Sequence, residues 1–88
     1  MVSKVTKVVN SQGFHMRPAT MFVNEMNKFE SDINLVCGDK TVNAKSLMNI
    51  IAAAIKCGME VEVTADGADE EAALAKAVEL IDAGLGED

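Results

Sequence analysis

The sequence predicts an α+β fold: an open-faced β-sandwich in which a four-stranded antiparallel sheet carries three helices on one face, in the order β-α-β-β-α-β-α. Three observations predict it. A strand–helix–strand pattern occurs twice along the chain. The two copies are joined by a hairpin, because Gly38-Asp39 stands as a two-residue turn between strand-like runs. The strands alternate apolar and polar residues, as a sheet with one core face and one wet face requires. Right-handed crossovers then gather the helices on a single side.

Each element has its own local reason. Residues 2–9 (VSKVTKVV) are rich in β-branched types and predict the first strand. Residues 10–14 (NSQGF) carry turn chemistry. Between Met16 and Phe29, the residues Ala19, Phe22, Val23 and Met26 recur at the i, i+3, i+4, i+7 spacing of one helix face. Residues 31–37 put Ile33, Leu35 and Cys37 on one strand face, and the hairpin leads into residues 40–44. Ser46 is a preferred N-cap for a second helix with the face Leu47, Ile50, Ile51, Ala54 and Ile55, which Gly58 is placed to end. Met59, Val61, Val63 and Ala65 alternate with Glu60, Glu62 and Thr64 in the clearest strand of the chain. Asp66-Gly67 forms a turn. Asp69 then caps a last helix with the face Ala73 or Leu74, Ala77, Val78 and Ile81, closed by Gly84.

Composition bounds the function. The 88 residues carry a formal net charge of −6 and are 49% hydrophobic, which fits one globular domain over residues 1–88. There is no Trp or Tyr and only three Phe, so the core is aliphatic, with six Met to fill gaps. The negative charge argues against nucleic-acid binding, which rests on neutralising phosphates. No apolar run approaches the ~20 residues that cross a bilayer, and the first residues lack the apolar core of an export signal. Two cysteines without a CxxC pair read as reduced thiols of a cytoplasmic protein. One His and two separated Cys do not make a zinc site, so no metal or organic cofactor is expected.

The only His, the only Arg and the only Pro of the chain fall within four residues: His15, Arg17 and Pro18. They stand where the first loop enters the first helix. Helix-start amides have no intrahelical partner, the macrodipole puts partial positive charge there, and both favour phosphate. The Arg17 guanidinium is a planar cationic fork that matches phosphoryl oxygens. Pro18 pre-sets the helical φ without wasting a donor. An imidazole in this field is held neutral, hence nucleophilic. Taken alone, a His at a helix start is most simply a surface residue. The residue physics therefore stops at an anion-handling histidine.

Residues 13–20, GFHMRPAT, closely resemble the active-site motif of the HPr family, the histidine-containing phosphocarriers of the bacterial phosphoenolpyruvate-dependent sugar phosphotransferase system. Residues 45–48, KSLM, resemble that family's regulatory serine segment. The turn and helix from Asp66 to the end are also similar, so the resemblance covers essentially the whole chain. It implies that His15 carries the phosphoryl group on Nδ1, taken from phosphorylated enzyme I and passed to a sugar-specific IIA component. It implies that Arg17 steadies the phosphoryl oxygens, with Pro18 completing the site. Ser46 matches the regulatory serine that an ATP-dependent kinase phosphorylates, and a plain N-cap explains the same residue. Leu47, Met48 and Ile51 match an apolar docking patch, with Phe14, Met16 and Thr20 near its rim. Met48 lies off the core face of its helix and is expected to be exposed. Asn24, Asn27, Asn49 and Ala54 depart from types common in the family.

The reading that follows is a monomeric cytoplasmic phosphocarrier that serves phosphotransfer enzymes as a substrate and is not itself an enzyme. Its expected partners are enzyme I and IIA components, with a serine kinase/phosphorylase and a transcriptional regulator as further candidates. The alternative is a regulatory interaction module that acts mainly through phosphorylated Ser46. His15 with Arg17 favours the first reading, because a purely regulatory module needs neither.

Overall fold

The computed structural model describes residues 1–9, 14 and 16–84. Among them the strands are β1 (Val2–Lys7), β2 (Asp32–Cys37), β3 (Lys40–Asn43) and β4 (Glu60–Asp66). The helices are α1 (Met16–Met26), α2 (Leu47–Ala53) and α3 (Glu70–Asp82). The order is the predicted β-α-β-β-α-β-α, and the fold is the predicted open-faced α+β sandwich.

The sheet runs β1-β4-β2-β3 with every neighbouring pair antiparallel. Period-two side-chain alternation sorts its residues. Ile33, Leu35 and Cys37 of β2, Val42 of β3 and Val61, Val63 and Ala65 of β4 are buried under the helices. On the other face Val5 pairs with Glu62, Lys7 with Glu60 and Asn34 with Thr64, a wet surface with one opposite-charge cross-strand pair. The hairpin closes through Gly38 at φ +62°, where a glycine avoids the Cβ clash of the left-handed region.

The helices present the stripes read from the sequence. Ala19, Phe22, Val23 and Met26 of α1 are buried, as are Ala73, Ala77, Val78 and Ile81 of α3. Ile50 is the buried residue of α2. The Cys37 thiol is buried, and burial pushes its pKa up, which leaves it a core hydrophobe.

The structure corrects three boundaries. α1 stops at Met26, because Lys28 N–H and Phe29 N–H bond back only three residues, to Glu25 and Met26, and tighten the last turn. α2 ends at Ala53, earlier than the Ile55 and Gly58 expected. Ala54 adopts φ 54° and ψ 49°, and this left-handed cap throws Ile55 into the core at 2% exposure. An L-residue there costs about 1 kcal/mol, which the burial of Ile55 offsets. β1 ends at Lys7, although Val8 still exchanges bonds with the loop before β4, through Met59 and Gly58.

Asp69 is the fourth correction. It sits at the N-cap position of α3 but makes no side-chain cap bond. Its carboxylate instead accepts the Glu30 N–H and the Ser31 N–H, each at 2.9 Å, and the Ser31 hydroxyl. Those donors hold its carboxyl below the usual carboxylate range. Gly67 explains why the two segments approach so closely, since a Cβ there would lie 2.7 Å from Ser31 Cα.

Candidate functional site

The site is built around the start of α1. His15 and residues 10–13 of the predicted turn lie outside the described residues; Phe14 and Met16, which flank His15, do not. Phe14 is 3% exposed and meets Phe22 edge-to-face, with ring centroids 5.2 Å apart. Its N–H donates to the Ile55 carbonyl at 3.0 Å. The residue just before His15 is therefore anchored in the core at both side chain and backbone. This corrects the expectation that Phe14 offers a docking side chain, because its ring has no surface to offer.

Beyond His15, Met16 and Arg17 are exposed while Pro18 and Ala19 are buried. The Pro18 ring is thus a wedge between helix and core as well as a helix starter. No acid occupies the first turn of α1, and among the described residues no carboxylate pairs with Arg17. The positive end of the helix dipole and the guanidinium therefore act in the same place, and no acid of the described residues pairs with them. Thr20 donates its hydroxyl to the Met16 carbonyl at 2.7 Å, which steadies this exposed turn.

Three hydrogen bonds set α2 beside α1. At one end, Phe14 is tied to Ile55, just past α2. At the other end, Asn27 Nδ2 donates to the Lys45 carbonyl at 3.3 Å, and Lys45 Nζ donates to the Phe29 carbonyl at 2.7 Å. The two helices are consequently antiparallel, and Ser46 stands beside the end of α1, not its start. The Ser46 hydroxyl accepts the Asn49 N–H at 3.3 Å as an N-cap. Met48 is 75% exposed and Met16 58% exposed, and Leu47 and Ile51 are half-buried. On this antiparallel pair Met16 and Thr20 belong to the start of α1, whereas Leu47 and Met48 head α2, beside the end of α1.

The Asn27–Lys45–Phe29 latch was not legible in the sequence. Its partners are 16 and 18 residues apart and belong to no local motif. Among the described residues, no group of three or more His, Cys, Asp or Glu side chains is arranged to hold a metal ion. No helix of those residues is long and apolar enough to cross a membrane.

Comparison with known proteins agrees with this fold. A family model described as "PTS HPr component phosphorylation site" matches residues 2–83. The "Phosphocarrier protein HPr" of Treponema pallidum is 46% identical over 74 residues, covering 84% of this chain and 84% of that protein. A "Multiphosphoryl transfer protein" of Vibrio cholerae is 48% identical over 84 residues, covering 92% of this chain; the chain spans only 21% of that longer protein. The crystal structure of HPr-C-His from Thermoanaerobacter tengcongensis superposes with a TM-score of 0.95 at 39% identity, covering 100% of this chain and 99% of that one. Sequence motif, sheet order and these matches converge, and the chain belongs to the HPr family of phosphocarrier proteins of the sugar phosphotransferase system.

Proposed function

We propose that the chain accepts a phosphoryl group on His15 from phosphorylated enzyme I and hands it to the histidine of a sugar-specific IIA component. The observation that carries this reading is the exposed Arg17 in a helix start free of acids, immediately after His15 and braced from below by buried Phe14 and Pro18. In each transfer an imidazole nitrogen lone pair forms an N–P bond while the bond from phosphorus to the donor histidine breaks and that histidine keeps the pair. Arg17 and the first amides of α1 hold the phosphoryl oxygens during the exchange. Met16, Thr20, Leu47, Met48 and Ile51 supply the apolar face that both partners cover. The chain acts as one monomeric cytoplasmic domain over residues 1–88, a substrate of phosphotransfer enzymes with no cofactor of its own.

The test is incubation with enzyme I and phosphoenolpyruvate, followed by assay for acid-labile, base-stable phosphate. His15→Ala is expected to accept none while keeping its melting midpoint; acceptance by that variant refutes the assignment. Arg17→Ala is expected to fold and to transfer about ten- to a hundredfold more slowly, since one charge-assisted contact contributes roughly 1.5–3 kcal/mol.

A second reading, regulation through Ser46, is favoured by the position of that hydroxyl at the head of the helix bearing Met48. A phosphate there adds about −1.5 to −2 charges beside a surface that must be desolvated on docking. A serine kinase/phosphorylase would then tune the carrier, and the phosphorylated form would address a transcriptional regulator. Ser46→Asp is expected to bind enzyme I more weakly than Ser46→Ala at low salt. Equal affinities would remove this reading and leave the carrier role standing.

A further inference from the structure

We propose that the groove between β1 and α3 is a docking site for an extended, positively charged segment of a partner protein, which adds to the free edge of β1. Among the described residues β1 is an outer strand, paired with β4 on one side alone. α3 runs alongside it in the same direction: the Met1 amino group lies 3.4 Å from a Glu70 carboxylate oxygen at one end, and Thr6 hydrogen-bonds Asp82 at the other. Between strand and helix lies an open cavity of about 510 Å³ with Val2, Leu74, Ala75 and Val78 as its apolar lining. Among the described residues the sheet ends here without a further strand.

The rim says what would lie there. Glu71, Glu79 and Asp82 line the groove with Lys4 as the one basic residue of its lining; no ion pair joins Lys4 to any of the three, and Glu79 also pairs with Lys76 of its own helix at 3.2 Å. The last turn of α3 contains no basic residue, so the negative end of its dipole adds to the same field. The complementary occupant is cationic at both ends and apolar between. Glu71 and Asp82 are separated along the helix by roughly 16 Å, which about five residues of extended chain match. Main-chain bonds to the β1 edge would supply affinity. Alternate side chains, apolar over Leu74 and Val78 and basic over the acids, would supply specificity. The groove shares no residue with α1 or α2, so the proposed phosphoryl site stays open while a partner is bound.

The probe is the capped peptide Arg-Ser-Val-Ser-Leu-Ser-Arg, whose alternate residues place Arg, Val, Leu and Arg on one side. It is titrated at physiological salt into the isotopically labelled full chain and followed by amide NMR shifts. Shifts confined to residues 2–7 and 71–82 are expected, with affinity falling about tenfold or more in the doubly exposed variant Glu71→Lys/Glu79→Lys at an unchanged melting midpoint. A copy of the peptide with N-methylated backbone amides, and one with Glu in place of Arg, are expected not to bind. The proposal is overturned by absence of binding at millimolar peptide or by shifts scattered over the acidic surface. Unchanged affinity in the double variant, or full binding by the N-methylated or Glu copy, overturns it equally. So does a dimer in the absence of peptide with β1 at its interface, since a second copy would then be the occupant.

Discussion

At the start of α2 the Ser46 hydroxyl takes the Asn49 N–H, three residues along its own chain; at the start of α3 the Asp69 carboxylate turns away and takes the N–H groups of Glu30 and Ser31, 39 and 38 residues back. Both residues are the type that sequence rules nominate as caps. The first turn of α3 instead carries two acids, Glu70 and Glu71, that complement the positive end of its dipole, and Glu70 accepts the Gly67 N–H at 3.1 Å. The difference separates a local cap from a tertiary fastener. A group that serves only its own short helix can be altered without loosening the sheet, whereas a group that holds two segments together cannot. This is the physical reason the proposed modification of half-buried Ser46 would leave the sheet intact, where loss of the Asp69 carboxylate would not.

Four measurements break or sharpen that contrast. The largest effect is expected for Gly67→Ala. The new methyl would stand 2.7 Å from Ser31 Cα, where backbone and not a flexible tip must yield. A loss of about 3 kcal/mol is expected, and a fall in melting midpoint of roughly 10–20 °C. A midpoint within two degrees of wild type would mean that the two segments are not held in close contact.

Next comes Asp69→Asn, expected to lower the midpoint at pH 7 and to change its pH dependence. The Asp69 carboxyl is held below its ordinary value of 3.8, chiefly by the Ser31 hydroxyl and then by the Glu30 N–H. A lowered native pKa favours folding in the ionised form, so the contribution is present above the ordinary value and lost as pH falls through the lowered one. The gap between wild type and variant should therefore narrow as the pH is brought from 7 down towards 2. A constant gap would show that the bond network holds the segments irrespective of charge.

Ser46→Ala should cost about 1 kcal/mol, the ordinary worth of a cap, and Ser46→Asp should recover most of it in thermal melts. A loss for Ala as large as that for Gly67→Ala would erase the distinction between cap and fastener. The smallest effect is a gain: Ala54→Gly relieves the left-handed residue at the end of α2 and should raise stability by about 0.5–1 kcal/mol. A decrease would place that cap under tertiary control as well.

How far the chain could be read in advance follows the same division. The apolar stripes of α1 and α3, the alternation of β2 and β4 and the Gly38 turn are local patterns, and each stands where it was predicted. The fold class follows from their order. Met48 was legible as exposed because it falls off its own helix face. Phe14 was not legible as buried: its ring reaches Phe22 and its N–H reaches Ile55 across the fold, and a single residue between a loop and a helix has no period to betray it. The early end of α2 was hidden for a related reason, since Ala54 and Ile55 continue the apolar spacing and only the packed core decides that the chain turns there.

The position of β4 carries a consequence for the life of the chain on the ribosome. β4 is the strand that bonds both β1 and β2, yet it is made after the other three strands of its sheet. The hairpin of β2 and β3 and the helix pair need no residue beyond 55 for their mutual contacts. β1, in contrast, waits with both edges bare while residues 8–59 are made, because its partner register begins only at Glu60. Closing that long loop is the entropically expensive step. The sheet therefore forms in one late, cooperative event, and a nascent chain arrested before residue 66 presents an unpaired, β-branched strand to whatever chaperone or neighbouring chain is within reach.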